Sequence, residues 1–306
     1  MSHHVPPRIT LADLDRTIES FAPEIRREPA WTTWTLATSV IGHFLGKDWV
    51  KANIVQDARH CHPDGFFRMN FSSPERREIK TARILDFAET LYNLQHVGGF
   101  DDRVRQMRTG NPEAGQAEFD FGRFLYIHDV DFRYVISSGQ KGRDFDCAVT
   151  YGDGRNACGD AKCRLEGTEV RPQAIRSALE KARSKNLPKD QPGVIFVKVP
   201  QACLESLEVR QGLVDVAADF LRQTERVVLV TLYVSVSFLH EQHKLVVHRH
   251  LVEEVENPKH RFDQSKSWRL FEGFDVPRGW NGMPPKWERI FSRGSDDPAY
   301  PRGRAA

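Results

Sequence analysis

Two apolar segments in the second half of the chain, at 194–197 and 227–236, each follow a segment with helical periodicity. The first reads Val-Ile-Phe-Val without a polar interruption, which is typical of a strand buried on both faces of a sheet. Apolar residues repeat at helical spacing at 175–182 before the first strand, and at 213–220 before the second. This alternation of helix and strand predicts an α/β fold.

The pattern upstream completes the predicted order of elements. We expect a helix over 113–127 and then three strands at about 132–136, 144–151 and 157–163, separated by glycine-containing turns. The first hundred residues carry helical periodicity, and we expect the stretch 103–115 to be a linker or a short helix. The predicted domains are a mostly helical N-terminal domain (1–105), an α/β core (106–256) and an irregular C-terminal tail packed on the core (257–306).

Composition excludes several classes of protein. Lys and Arg number 44 against 42 Asp and Glu, so the chain is neither a basic arm nor an acidic tail. The longest apolar stretch, 227–239, contains Thr and Ser and is shorter than the roughly 20 apolar residues that a membrane-spanning helix needs. The five cysteines are scattered and odd in number, which does not indicate a disulfide framework. We therefore expect a cytoplasmic protein without a membrane partner, and the sequence does not predict its oligomeric state.

Acidic residues fall on one side of two predicted strands. Residues two apart in a strand point the same way, so Asp144 and Asp146 share one face, as do Asp160 and Lys162 of the next strand. If the two strands form a hairpin, these groups converge. A divalent cation with oxygen ligands relieves the repulsion in such a cluster, although a solvated acidic face is an equally good interpretation of the spacing.

Glu118 provides a fourth candidate. It lies on an otherwise apolar stripe of the predicted helix 113–127, where an unpaired carboxylate is costly. A metal ion is one possible partner for it. Alternatively, Glu118 extends from the edge of the stripe toward solvent or pairs with a nearby arginine such as Arg123.

The order of these residues resembles the PD-(D/E)xK, or restriction-endonuclease-like, nuclease superfamily. The similarity runs from about residue 113 to 236 and includes Gly-Arg-Asp-Phe-Asp at 142–146 and Asp-Ala-Lys at 160–162. In that family a core helix supplies a Glu, a first strand an Asp, and the next strand an acidic residue and a Lys. The resemblance implies a mixed sheet flanked by helices, with site residues Glu118, Asp144 or Asp146, Asp160 and Lys162.

The function that the resemblance implies is metal-dependent hydrolysis of nucleic acid, with DNA as the first expectation. Mg²⁺ or Mn²⁺ would be held by the carboxylates, and Lys162 would act on the attacking water or on the phosphate. An ion pair between Lys162 and Asp144 or Asp146 is the structural alternative. Basic residues after the site, Arg164, Arg176 and Lys181, are candidates for binding the substrate.

Two other functions stay open at this stage. One is a catalytically inactive protein of the nuclease fold that binds nucleic acid or a protein partner. The other is an unrelated α/β protein whose acidic strands are only surface. Histidines at 60, 62, 240, 243, 248 and 250 could suggest zinc, but no matched four-ligand spacing occurs. His248 and His250 alternate with Arg249, which favours a polar face of a strand.

Overall fold

Helices and strands follow one another in the predicted order and build a mixed six-stranded sheet with helices on both faces. This is the arrangement in a computed structural model of the chain. The structure describes residues 6–55, 65–69, 73–136, 138–204, 206–240, 245–271 and 286–291. The predicted α/β class with flanking helices is confirmed. None of the described helices combines the length and apolar character needed to cross a bilayer.

Most of the described residues before 95 are helical. Proline occupies the first turn of several helices, where its missing N–H would have had no helical partner in any case. Thr10 closes a capping box at the first helix, and the Ser73 hydroxyl accepts from the backbone N–H of Arg76 at the fifth. The helices are α1 (Leu11–Glu19), α2 (Pro23–Arg27), α3 (Pro29–Leu45), α4 (Lys47–Val50) with a π-helical turn Lys51–Val55, and α5 (Pro74–Leu94).

The sequence predicted a linker or a short helix at 103–115 and a helix at 113–127. The structure has two helices in this part of the chain. They are α6 (Phe100–Thr109) and α7 (Pro112–Ile127). Gly110 ends α6 in an extended conformation, and the side chain of Asn111 accepts from the first N–H groups of α7. The predicted linker is therefore only two residues long, and it forms a tight corner.

The remaining elements alternate in the predicted way. They are β1 (Asp131–Tyr134), β2 (Cys147–Thr150), β3 (Asn156–Cys163), α8 (Pro172–Lys181) with a π-helical turn Ala182–Asn186, β4 (Gly193–Lys198), a 3₁₀ turn Gln201–Leu204, α9 (Leu207–Leu221), β5 (Val227–His240) and β6 (Leu245–Glu256). The sheet order is β1-β2-β3-β4-β5-β6. Neighbours are parallel at β3-β4 and β4-β5, and antiparallel elsewhere.

Each face of the sheet has its own apolar core. Val194 and Phe196 of β4 point toward α5 and α7, whereas Ile195 and Val197 point toward α8 and α9. All six residues of β4 are buried, which confirms the prediction of a strand covered on both faces. The core on the α5–α7 face also includes apolar residues of α1, α3 and α4.

The chain that directly follows β6 is packed without regular secondary structure. Residues 257–271 contain neither helix nor strand, and Trp268, Leu270 and Phe271 are buried. The Tyr151 hydroxyl donates to the carbonyl of Trp268 at 2.7 Å, which ties the tail to the end of β2. The predicted tail also covers 272–285 and 292–306, which lie outside the described residues.

Candidate functional site

The β2–β3 hairpin brings the predicted acidic residues together. The two strands are adjacent and antiparallel, with Cys147 opposite Gly159, as the hairpin hypothesis requires. Asp146 lies directly before β2, and its backbone N–H donates to the carbonyl of Gly159 at 2.8 Å. Asp146 and Asp160 therefore sit side by side on neighbouring chain segments.

Asp146 is held by the backbone of β3 and by an arginine. One carboxylate oxygen accepts from the N–H of Ala161 at 2.7 Å, and the other accepts from Nη1 of Arg103 at 3.0 Å. Only 8% of Asp146 is exposed. The carboxylate is thus fixed in direction at the point where β3 passes the start of β2.

Asp160 is completely buried in the middle of β3. Its Oδ1 accepts from the side-chain amide of Asn186 at 2.6 Å, and the ammonium of Lys162 pairs with its Oδ2. Burial and the charge of Asp146 raise the pKa of Asp160, while Lys162 and Asn186 oppose the shift. The alternative predicted for Lys162, an ion pair with Asp144 or Asp146, is wrong. Lys162 pairs instead with Asp160, which lies two residues earlier in the same strand.

Glu118 reaches the same place from α7. Its Oε2 accepts from Nη1 of Arg103 at 2.6 Å, and this nitrogen also contacts Asp146, so the guanidinium bridges the two carboxylates. Burial and the nearby charge of Asp146 raise the pKa of Glu118, against the effect of Arg103. Arg123, the arginine suggested as its partner, instead pairs with Asp86.

Arg103 was not among the predicted site residues, because the stretch 103–115 was expected to be a linker or a short helix. The signal was present, since Phe100, Val104 and Met107 repeat at helical spacing and Arg103 shares their buried face. Its other terminal nitrogen donates to the carbonyls of Val135 and Asp146, each at 3.2 Å. Arg103 therefore anchors the loop between β1 and β2 as well as the acidic residues.

The structure distinguishes Asp146 from Asp144. The expected strand over 144–151 is only Cys147–Thr150, so the prediction that Asp144 shares a strand face with Asp146 is wrong. Asp144 lies in the preceding loop, where its carboxylate accepts from the backbone N–H and the hydroxyl of Ser138 at 2.7 and 3.0 Å. A left-handed turn at Gly142 (φ 79°) bends the chain just before it.

The basic residues proposed for substrate binding follow the site along the chain. Arg164 comes directly after β3, and its backbone N–H donates to the carbonyl of Lys198 at 2.9 Å. On α8, Arg176 pairs with Glu180 at 3.2 Å, and Lys181 is exposed at the end of the helix. Their role in binding stays a prediction.

The donor set suits a hard divalent cation without forming a closed cage. Among the described residues, one trio of potential ligand atoms lies within 4.8 Å of one another, and it does not belong to these carboxylates. Mg²⁺ is commonly held by one or two carboxylates together with waters and substrate phosphates, so Asp146 and Asp160 fit it. The buried Oδ2 of Asp160 already pairs with the ammonium of Lys162, so a cation bound at this carboxylate would share it with Lys162.

The trio within 4.8 Å consists of Asp86, His248 and His250 on α5 and β6. The guanidinium of Arg123 pairs with Asp86 and lies 2.7 Å from Nε2 of His250. Burial, followed by the charge of Arg123, lowers the pKa of His250 to about 3. The guanidinium of Arg123 already supplies a buried positive charge beside the trio. The arrangement is therefore typical of an internal ion pair and not of a zinc site.

The predicted polar face of β6 is therefore present, but it is largely buried. His60, His62 and His243 lie outside the described residues, and His240 ends β5.

No protein-family model matches the chain, and no curated protein is significantly similar to it in sequence.

Proposed function

We propose that this protein is a metal-dependent nuclease of the restriction-endonuclease-like type, acting on nucleic acid and in the first place on DNA. The observation that carries the proposal is the β2–β3 hairpin, which places Asp146 beside Asp160 and Lys162, with Glu118 arriving from α7. The order of a helix, three antiparallel strands, a helix and a parallel strand agrees with the order on which the resemblance rests.

Burial argues against an acidic face that is merely solvated. Asp160 has no exposed surface, whereas a carboxylate on a solvated face would be exposed, and its pairing with Lys162 offsets the cost of burial. Groups with shifted pKa values gather at functional sites more often than elsewhere, and the pKa values of both Glu118 and Asp160 are raised. These two features support a chemical role for the cluster.

Each residue has a role in the proposed reaction. Asp146 and Asp160 would hold Mg²⁺ or Mn²⁺, with Glu118 and Arg103 setting the charge beside them. When bound, such a cation polarises phosphoryl oxygens and lowers the pKa of a coordinated water. Lys162, with 18% of its side chain exposed, would orient the water or stabilise charge on the phosphate. Arg164, Arg176 and Lys181 are proposed to contact the backbone of the substrate.

A second function is favoured by one observation. Arg103 bridges Glu118 and Asp146, and Lys162 pairs with Asp160, so two internal cations already compensate three carboxylates. A nuclease fold that has lost activity and only binds nucleic acid or a protein partner would be stable in this form.

Cleavage assays separate the two functions. Purified protein would be incubated with plasmid, single-stranded DNA and RNA in Mg²⁺ or Mn²⁺, comparing wild type with Lys162→Met at matched binding. Lys162→Met keeps the length of the side chain and removes its charge, so we expect cleavage to slow by about 100-fold or more. Lys51→Met, at an exposed lysine of the turn after α4 that has no proposed role, serves as the matched control and should cleave at a rate close to wild type. Cleavage by Lys162→Met at the wild-type rate, or no cleavage by wild type, would reject the nuclease.

Metal binding can be tested without activity. Because a ligand that binds only the folded state raises the melting temperature, Mn²⁺ should stabilise the wild type. Asp160→Asn should lose most of this increase, since it removes a charged oxygen ligand. An equal increase in both proteins would show that the ion binds elsewhere.

A further inference from the structure

An open groove lies between strands β1–β3 and the segment 184–191. It has a volume of about 1070 Å³, and its floor includes Ala148 and Thr150 of β2 and Asn156 and Cys158 of β3. The register places Ala148 opposite Cys158 and Thr150 opposite Asn156, so these side chains share one face. The other face of this region packs against α7, where Phe121 contacts β3 at Gly159.

The groove leads to the candidate site. Along β3, Asn156 and Cys158 are followed at the same two-residue period by Asp160 and Lys162. Phe145, the neighbour of Asp146, also lines the groove. Asn186, which donates to Asp160, lies between the lining residues Ser184 and Leu187. The acidic cluster therefore lies next to residues that line the groove, although its own residues do not line it.

Positive charge dominates the walls. Five basic residues line the groove against two acidic ones, Asp131 and Asp190. Within the described part of the chain, none of the five forms an ion pair, in contrast to many other surface arginines of this protein. The five are Arg133, Lys141, Arg143, Lys189 and Arg226.

Two further arginines, Arg183 and Arg261, add positive charge near Arg226. The pKa of Arg226 is lowered by burial and by the like charges of Arg183 and Arg261. Arg226 donates to the carbonyl of Pro188 at 3.3 Å, and the guanidinium of Arg261 bonds the carbonyl of Lys189. These arginines are thus fixed by backbone oxygens, which leave their charges uncompensated. Repulsion of this kind is relieved by an anionic ligand.

We infer that this groove binds the sugar-phosphate backbone of a nucleic-acid strand and guides it to Asp160 and Lys162. The inference rests on the proposed function and adds a surface outside the predicted residues Arg164, Arg176 and Lys181. The chemistry supports a polyanion, because five cations without an ion pair in the described chain line one open channel, and nucleic acid carries a negative charge on every phosphate. Phe145 offers an aromatic side chain in the channel on which a base can stack.

The test is a binding titration in EDTA, which separates binding from cleavage. The probe is a fluorescein-labelled single-stranded DNA oligonucleotide, together with its duplex and the RNA of the same sequence. The groove variant combines Lys141→Ser, Arg143→Ser and Lys189→Ser, three exposed residues of the groove wall that lie outside the acidic cluster. The control variant combines Arg16→Ser in α1, Arg210→Ser in α9 and Arg222→Ser directly after α9, which removes the same charge from outside the groove.

We expect the groove variant to bind at least one probe about 10-fold or more weakly than wild type, while the control variant stays within about 2-fold. The slope of log affinity against log salt should fall by about 2 for the groove variant, since each lost contact to a single strand contributes about 0.7. Thermal melting of both variants checks that they are folded.

Three results would overturn the inference. They are equal binding by wild type and the groove variant, no binding of wild type to any probe, and groove-dependent capture by phosphatidylserine vesicles in place of oligonucleotides. The proposed function is judged separately by cleavage in Mg²⁺ or Mn²⁺. Binding that depends on the groove residues, without cleavage, supports the inference about the groove and contradicts the proposed nuclease activity. Cleavage that depends on Lys162 but not on the groove residues supports the nuclease activity and contradicts the inference about the groove.

Discussion

Arg103 is a buried cation that contacts two of the acidic residues in the candidate site. It is 4% exposed, and its guanidinium contacts two carboxylates and two backbone carbonyls. The charges of Glu118 and Asp146 keep its pKa above the ordinary arginine value despite burial. The residue is therefore a permanent internal cation, placed beside the site where the sequence alone suggested a metal ion.

Replacing this arginine should expose the repulsion between the two acids. For Arg103→Met we expect the free energy of unfolding at pH 8 to fall by about 3–5 kcal/mol, the range for removing one partner of a buried ion pair. If a divalent cation binds to the carboxylates, Mn²⁺ should recover part of this loss, and urea unfolding with and without Mn²⁺ measures both effects.

Arg105 provides the control on the same helix. It is paired with Asp102 at the surface, so Arg105→Met should change stability by no more than about 0.5 kcal/mol. A mild effect of Arg103→Met, equal to that of Arg105→Met, would contradict the structural role of the bridge.

Glu89 of α5 gives a prediction for pH. It is 2% exposed, and burial together with the charge of Asp86 raises its pKa to about 7. A raised pKa means that the folded protein binds this proton more strongly than the unfolded chain does. Stability from this group is therefore fully present below about pH 4.5 and is lost as pH rises through 7.

Glu89→Gln removes this titration and keeps an oxygen for the backbone N–H of Ile290, from which Glu89 accepts at 3.0 Å. Relative to wild type, the variant should gain roughly 3 kcal/mol of stability between pH 4.5 and pH 8. Urea unfolding at the two pH values measures the difference. The exposed Glu78→Gln on the same helix should follow wild type, and a Glu89→Gln curve parallel to wild type would contradict the assignment.

At the scale of elements, β3 is a central strand of the sheet although it contains no β-branched residue. Its sequence contains Gly159 and Ala161, which β-propensity disfavours. A Cβ on Gly159 would lie 2.4 Å from the ring of Phe121, so α7 packs directly onto the backbone of the strand. This close approach lets Glu118 of the same helix reach the hairpin.

Gly159→Ala should therefore push α7 away from β3. We expect a loss of about 1–3 kcal/mol in stability from overpacking, together with lower activity or metal response, because Asp160 is the next residue. Gly152, in the turn of the same hairpin, has open space to 4 Å around the position that a methyl group would take, so Gly152→Ala should be close to neutral. Thermal melting compares them, and equal effects of the two substitutions would contradict close packing at Gly159.

The order of elements could be predicted from local periodicity because helices and strands bury regular stripes. The helix at α7, the β2–β3 hairpin and the buried β4 were all predicted from such stripes. Arg103 and the true partner of Lys162 could not be predicted, since an ion pair between distant segments depends on packing. The exclusion of Asp144 from the strand depended on the geometry of the loop at Gly142, which spacing does not record.

At the scale of the whole molecule, the helices before residue 105 and the sheet share a hydrophobic core. Aromatic side chains form a chain of contacts from Phe67 and Phe87 of the first part to Phe119 of α7 and Tyr134 of β1, with ring centroids 4.9 to 6.1 Å apart. Buried polar contacts cross the same boundary, including Asp86 to Arg123 and Arg83 to Ser237. The packing is continuous where the sequence predicted a domain boundary.

Continuous packing predicts cooperative unfolding of the full chain. Hydrogen exchange at increasing urea should show α3, α5 and strands β3–β5 losing protection together, because opening either part exposes the other's apolar surface. Phe87→Leu in α5 should lower the urea midpoint of both parts by the same amount, corresponding to about 1–3 kcal/mol. The exposed Arg77→Ala on the same helix should leave both midpoints unchanged. If the helices lose protection at lower urea than the strands, and Phe87→Leu shifts only the helices, the first 105 residues behave as a separate domain after all.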